Sequence, residues 1–252
     1  MGMHTTDLLY TNRRPRRRAL RRSWLLITLT ALFAGCANQV VVKGNFPEPV
    51  LDKIPLTIGV YYDPEFRSHE FFDEAKSREE TDWLVRTGEA QVDMYNTLLP
   101  GMFQEVVMLN ALPRRDRVET VLDENVDAVL VPHVAELQYS IPNHTKINVF
   151  EIWMRYRYEL YAPDGELLAD WTMTSYGKTP TAFLQTAEAA VNLAAVVALR
   201  DAGANFAMNF TRVPEVRTWM EGLEQARANP NMDLPAAAAP EAKAPKSGLL
   251  GK

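Results

Sequence analysis

Between Asn148 and Tyr161 the side chains alternate: Phe150, Ile152, Met154, Tyr156, Tyr158 and Leu160 share one parity, while Glu151, Arg155, Arg157 and Glu159 share the other. A period of two belongs to a strand with one packed face and one wet face. The fold must therefore cover the apolar side of this strand with another layer and leave its charged side in water. Ala162-Pro163-Asp164-Gly165 follows, with proline and glycine where a turn requires them, and Leu167 to Tyr176 returns as the partner of a hairpin.

The rest of the chain supplies the covering layer. Leu56 to Tyr62 is rich in β-branched and aromatic residues and stops at Asp63-Pro64, which predicts a first strand. Val85, Val92, Tyr95 and Leu99 share one helical face, predicting a helix over Asp82 to Leu99, interrupted by Gly88 and ended by Pro100-Gly101. Phe103 to Leu109 reads as a strand and Asp116 to Glu124 as a short helix. Ala128 to Val131 reads as a buried strand that alternates onward through Leu137 and Tyr139, with Glu136, Gln138 and Ser140 on the opposite side. Thr179-Pro180 reads as a cap and first-turn proline. They open an Ala-rich helix to about Leu199 or beyond, with a break at Asp201, Gly203 and Asn205 and further turns over Phe206 to Leu223. The order strand, helix, strand, helix, three strands, helix predicts an α+β fold, a mixed sheet of about five strands with helices packed on one face.

The flanks differ from this domain. An Arg-rich stretch, Arg13 to Arg22, runs into an apolar core of ten residues, Trp24 to Phe33, too short for a spanning helix and suited to a secretory signal. Residues 1–35 hold seven of the 27 basic residues and one of the 32 acidic ones. The remainder carries 20 basic against 31 acidic residues, a net charge of -11. Nucleic acid is a poor partner for so acidic a chain. Cys36 is the single cysteine, so no intramolecular disulfide and no Cys-rich zinc site can form. Ala37 to Pro55 is rich in Gly, Asn and Pro and reads as an extended tether over 36–55, with the domain over 56–227. The Ala/Pro-rich segment 228–252 offers little to bury and reads as a disordered tail.

Leu32-Phe33-Ala34-Gly35-Cys36 resembles the lipobox of bacterial lipoproteins. The resemblance implies that Cys36 is acylated and becomes the first residue of the mature protein. Ala37, where an enteric retention signal would have Asp, implies the outer membrane. Three acyl chains would hold the protein firmly, since one chain anchors only marginally. The domain resembles, in pattern and order, the LpoB, PelC, YajG and CsgG N-terminal group of periplasmic lipoproteins. Leu56 to Tyr62, the helix to Leu99, Val126 to Pro132, the Asp164-Gly165 hairpin with Trp171, and the final helix carry the likeness. No functional residue transfers from it.

Local chemistry is sparse. His69-Glu70-Phe71-Phe72-Asp73 begins like a helical zinc-protease signature but lacks the second histidine, so Glu70 and Asp73 read as part of an acidic surface able to attract a basic partner. His133 falls in the series Val129, Val131, His133, Ala135, Leu137 and reads as a core histidine. His144 sits in a loop with no nucleophile beside it. Gly-x-Ser-x-Gly and phosphate-binding Gly-rich loops are both absent from the sequence. Neither metal nor cofactor is expected. Trp153 stands out because it shares the charged side of the best strand with Arg155 and Arg157, and exposed Trp and Arg are favoured binding anchors. Its competing role is to pair across the hairpin or to lie under the tail or tether. The expectation is an outer-membrane lipoprotein facing the periplasm, not an enzyme, that acts as an accessory or assembly factor by binding envelope proteins. The alternatives are an oligomeric component of a secretion or transport complex, a cell-wall hydrolase built on paired carboxylates, and a carrier of apolar ligands.

Overall fold

The computed structural model describes residues 38–75, 82–112, 125–142, 148–180 and 186–229. Strands are β1 (Asn38–Val41), β2 (Ile54–Val60), β3 (Glu70–Asp73), β4 (Trp83–Arg86), β5 (Phe103–Met108), β6 (Ala128–Ser140), β7 (Val149–Tyr161) and β8 (Leu167–Pro180). Helices are α1 (Pro64–Arg67), α2 (Gly88–Met102), α3 (Ala187–Asn209) and α4 (Pro214–Ala228), with a 3-10 turn at Phe210–Arg212 between the last two. The fold is α+β.

A five-stranded mixed sheet has the order β5-β2-β6-β7-β8, in which β2 runs parallel to both its neighbours and β6, β7 and β8 are antiparallel. The alternation read from the sequence of β7 holds along its length: Phe150, Ile152, Met154, Tyr156, Tyr158 and Leu160 are all buried. The turn into β8 uses Gly165 at φ 86°, a left-handed conformation that glycine adopts without strain.

Helices α2 and α3 cover the apolar side of this sheet. Tyr95 of α2 and Tyr158 of β7 meet in the core with hydroxyls 2.6 Å apart. Phe206 of α3 lies 4.9 Å from the Tyr158 ring and Phe210 lies 5.2 Å from Phe103, centre to centre. Burial pushes the Tyr95, Tyr156 and Tyr158 hydroxyls up from the ordinary phenol range, so these three stay neutral. Helix α3 approaches β8 closely because both surfaces are small: Ala190, Ala194, Ala195, Ala198 and Ala202 are buried, and Gly177 faces them. Along the open edge of β8 the same helix supplies bonding partners. The Tyr176 amide donates to Asp201 Oδ2 (2.9 Å) and Asn205 Nδ2 donates to the Thr174 carbonyl (3.2 Å). A smaller apolar cluster, Leu109, Val126, Val129 and Val131, occupies the other side of the sheet near its β5, β2 and β6 strands.

Several expectations need correction. A second sheet, order β1-β4-β3, was not foreseen. Its strand β1 lies inside the segment read as a tether over 36–55, where Val40, Val42 and Phe46 are buried. Asn192 of α3 exchanges hydrogen bonds with the Lys43 backbone (2.8 and 3.1 Å), and Arg200 donates to the Asn45 carbonyl. Gly and Pro exclude helix there, but they do not prevent an extended chain from docking, so the described part of the domain begins at Asn38, not near Leu56. The helix expected over Asp82 to Leu99 is strand β4 followed by α2. Gly88 starts that helix instead of interrupting it, and only glycine fits there, since a Cβ would stand 2.2 Å from the Arg67 carbonyl oxygen. Pro100 lies inside the last turn of α2. Thr179-Pro180 ends β8, and the cap of α3 is Thr186, whose hydroxyl accepts from the Ala189 amide. Helix α3 runs unbroken through Asp201, Gly203 and Asn205 to Asn209. The signal over 1–35, Cys36, the helix expected at Asp116 to Glu124, His144 and the tail beyond Asn229 lie outside the described residues.

Candidate binding surface

The charged side of β7 and its neighbours forms the outward face of the five-stranded sheet. Register fixes its rows: Gln138, Trp153 and Tyr176 stand side by side, as do Glu136, Arg155 and Thr174, then His133, Arg157 and Thr172. Trp153 is 40% exposed, and its ring lies 5.2 Å from that of Tyr176 at a tilt of 34°. Trp153 thus pairs across the hairpin, as its competing role had it, and still presents part of its surface to solvent. The Tyr176 hydroxyl donates to Glu151 Oε1, a bond that pushes its pKa up to about 12, with some help from burial.

Charge on this face is almost fully paired. Arg155 contacts Glu136. Arg157 grips Asp170 through Nε and a terminal nitrogen (2.9 and 2.7 Å) and reaches Glu159 at 2.8 Å. Its bond to Asp170, then the charges of Glu159 and Asp170, raise the guanidinium pKa, so it is cationic at every accessible pH. Glu159 also accepts from the Tyr161 hydroxyl (2.9 Å), and partial burial followed by this bond pushes Tyr161 up to about 12. The chain of contacts continues through His133, whose Nε2 lies 3.1 Å from Glu159 and whose Nδ1 lies 2.9 Å from Asp63. Asp63 in turn accepts from the Phe66 amide and caps α1. Each exposed pair contributes no more than about 1 kcal/mol, but two-point grips such as Arg157 on Asp170 fix side-chain direction. The face is thus a rigid polar lattice with an aromatic pair at one end.

His133 is not the core residue expected. The β6 to β7 register slips between Val134 and Glu136, so Ala135 is an extra residue in β6. Before the bulge Val129, Val131 and His133 point outward. After it Leu137 and Tyr139 point inward, opposite Met154 and Ile152.

Glu70 and Asp73 lie elsewhere, on β3 of the small sheet. Glu70 pairs with Arg86 of β4 at 3.1 Å, both well exposed. Asp73 accepts from the Tyr139 hydroxyl at 2.8 Å, and Tyr139 also packs edge-on to Phe71. The five candidate residues therefore fall on two surfaces. The run His69 to Asp73 enters a strand, not a helix, so it lacks the helical spacing of a zinc-protease site. His69 Nδ1 is engaged by the Thr87 hydroxyl at 2.7 Å, and burial lowers the pKa of the ring. With Glu65, Ser68, Glu70 and Val134 it lines an open cleft of about 460 Å³. Among the described residues no group of three or more His, Cys, Asp or Glu is placed to hold a metal ion, and no helix is long and apolar enough to cross a membrane.

The sequence reading missed Tyr176 as the partner of Trp153, the network through His133, and the small sheet. The first could not be counted from the turn alone, because the register shifts between Leu160 and Tyr161, and counting from Ala162-Gly165 without that shift places Thr174, not Tyr176, opposite Trp153.

No protein-family model and no curated protein matches this chain. Among solved structures it is similar to a Xanthomonas campestris protein of the DUF330 family, at 13% identity and a TM-score of 0.46 over 76% of this chain and 99% of that one. It is similar also to a minor lipoprotein from Acinetobacter baumannii (13% identity, TM-score 0.36, 65% and 97% covered). A third is a PelC dodecamer from Paraburkholderia phytofirmans (18% identity, TM-score 0.31, 62% and 94% covered). At these levels no residue role transfers.

Proposed function

We propose that this chain is a lipid-anchored protein of the bacterial outer membrane, facing the periplasm, that serves as a non-catalytic accessory or assembly factor. It works by binding envelope proteins through the outward face of its five-stranded sheet. One observation carries the reading. The long strands β6, β7 and β8 present a pre-ordered face on which an exposed Trp153–Tyr176 pair adjoins Arg155 and Arg157, both already held in place by carboxylates. Rigid aromatic and Arg side chains lose little entropy when a partner covers them, which is why such groups dominate binding energy. The Arg-rich and apolar run ending at Cys36 supports the anchor. Confinement beside a membrane raises the effective concentration of partners, so modest affinity suffices.

The test is crosslinking in cells expressing the full-length protein, read by mass spectrometry, with Cys36→Ala as the control for address. Defined envelope proteins that disappear in the control are the expected result. Recovery of this chain alone would replace the accessory role with the oligomeric one, and an unchanged membrane fraction for Cys36→Ala would remove the anchor.

A further inference from the structure

The small sheet has one covered side and one open side. Val40, Trp83 and Val85 face inward and are buried. On the other side Gln39, Leu84 and Phe72 form one row, and Val41, Arg86 and Glu70 form the next. Phe72 is 56% exposed and Val41 40%, with Leu84 half-buried beside both. Polar residues can keep such a face soluble, yet here its exposed centre is apolar and the only charges on those two rows, Arg86 and Glu70, neutralise each other.

Chain arithmetic says what meets this face. Strand β1 begins at Asn38, two residues after Cys36. Two peptide steps span no more than about 7.6 Å, while each headgroup layer of a bilayer is about 5–8 Å deep. An acylated Cys36 therefore leaves β1 no room to stand off from the membrane. We propose that the outer face of the β1-β4-β3 sheet is seated on the bilayer surface, with Val41, Phe72 and Leu84 at the boundary of headgroups and acyl chains. The domain is docked on its membrane, not suspended from it by a tether. Arg86 lies beside this patch with an aliphatic stem long enough for its head, paired with Glu70, to stay among the headgroups while its apolar neighbours enter deeper. This inference rests on the anchor at Cys36.

The experiment exploits the cysteine count. Cys36 is the sole cysteine, so in the acylated protein a cysteine introduced elsewhere is the sole free thiol. Phe72→Cys, Val41→Cys and, as reference, Leu167→Cys are labelled with a nitrobenzoxadiazole thiol reagent. The full-length lipidated proteins are then reconstituted into phosphatidylethanolamine and phosphatidylglycerol vesicles that carry a nitroxide on the headgroup. Leu167 is also exposed, but it pairs with Tyr161, some 30 Å along β7 from Ile152 and hence from the end of the sheet at which Tyr139 packs on Phe71. Labels at 72 and 41 are expected to be quenched at least about threefold more strongly than the label at 167, as a side chain lying in the interface should be. Equal quenching at all three positions, on protein whose mass shows the acyl chains, would overturn the seated face and leave the anchor intact. Absence of acyl mass together with failure to float with vesicles would overturn the anchor and this inference with it. The Val41 label decides the matter if Phe72→Cys does not fold.

Discussion

Replacing Gly177 with Ala adds one methyl group where β8 meets α3, and the structure says that it cannot be accommodated by side-chain movement. A Cβ at position 177 would lie 2.1 Å from the Ala194 carbonyl oxygen and 2.4 Å from the Ala198 amide nitrogen, both of them backbone atoms. Ordinary contact begins at 3.4 Å, so α3 would have to retreat by about 1.3 Å. That helix packs through alanines, and a gap of 0.5–1 Å already forfeits about a quarter to a half of each contact's dispersion energy. Overpacking of this kind costs about 1–3 kcal/mol. The rigid obstacle puts Gly177→Ala near the upper figure, which for a domain of this size lowers Tm by about 6–12 °C. Thermal unfolding followed by circular dichroism measures it. Gly203→Ala is the matched reference. Its Cβ would press only on the flexible Met94 side chain, at 3.0 Å, with Leu98 in ordinary contact at 3.7 Å, and alanine in a helix interior gains about 1 kcal/mol over glycine. Gly203→Ala should therefore leave Tm unchanged or raise it. If Gly177→Ala melted within 2 °C of the parent protein, the close seating of α3 on β8 would be wrong.

Three further outcomes follow from the same structure. Tyr95→Phe leaves the buried Tyr158 hydroxyl without its partner and should cost about 1–3 kcal/mol in chemical denaturation; Tyr95→Phe with Tyr158→Phe should recover part of that loss, and a strictly additive double variant would contradict the bond. Tyr161 and Tyr176, pushed up to about 12 from an ordinary value of 10, stabilise the fold fully below pH 10. Their contribution should vanish as pH rises from 10 through 12, with the buried Tyr95, Tyr156 and Tyr158 ionising only as the chain unfolds, so absorbance at the tyrosinate band and loss of helical dichroism should coincide for them. Trp153→Ala should abolish partner crosslinking while costing less stability than the ~3–5 kcal/mol of a core aromatic, since the ring pair adds no more than about 1.5 kcal/mol to its partial burial; the opposite pattern would make Trp153 a structural residue.

Long periodic elements were legible in the sequence and short ones were not. Strand β7 repeats its alternation six times, so chance cannot imitate it, and the turn after it carries its own chemistry in Gly165. Strands β1, β3 and β4 have four residues each, two per face, and their stability comes from neighbours distant in the chain. Val85 illustrates the confusion: it sits on a helical face with Val92, Tyr95 and Leu99 by spacing alone, yet it belongs to β4 and pairs with Val40. The candidate face was half legible. Trp153 stood out because it interrupts the charged side of an obvious strand, and Arg155 and Arg157 because they lie beside it there, whereas His133 was assigned to the wrong side by a single unpaired residue, Ala135, which leaves the alternation intact on either side of it. Glu70 and Asp73 looked like one acidic surface because they are close in sequence. One faces solvent beside Arg86, while the other is tied to Tyr139.

The bonds that α3 sends to the margin of β8 bear on how copies of this chain can meet. A sheet margin with free amides and carbonyls is a template on which another chain's strand can grow. Here the Tyr176 amide and the Thr174 carbonyl are already spoken for by Asp201 and Asn205. An incoming strand would have to displace two native bonds at the middle of β8 before it formed a continuous ladder. Copies of this chain are thus steered away from runaway strand addition along β8, and contacts between them there are left to side chains, which can be made and broken one at a time.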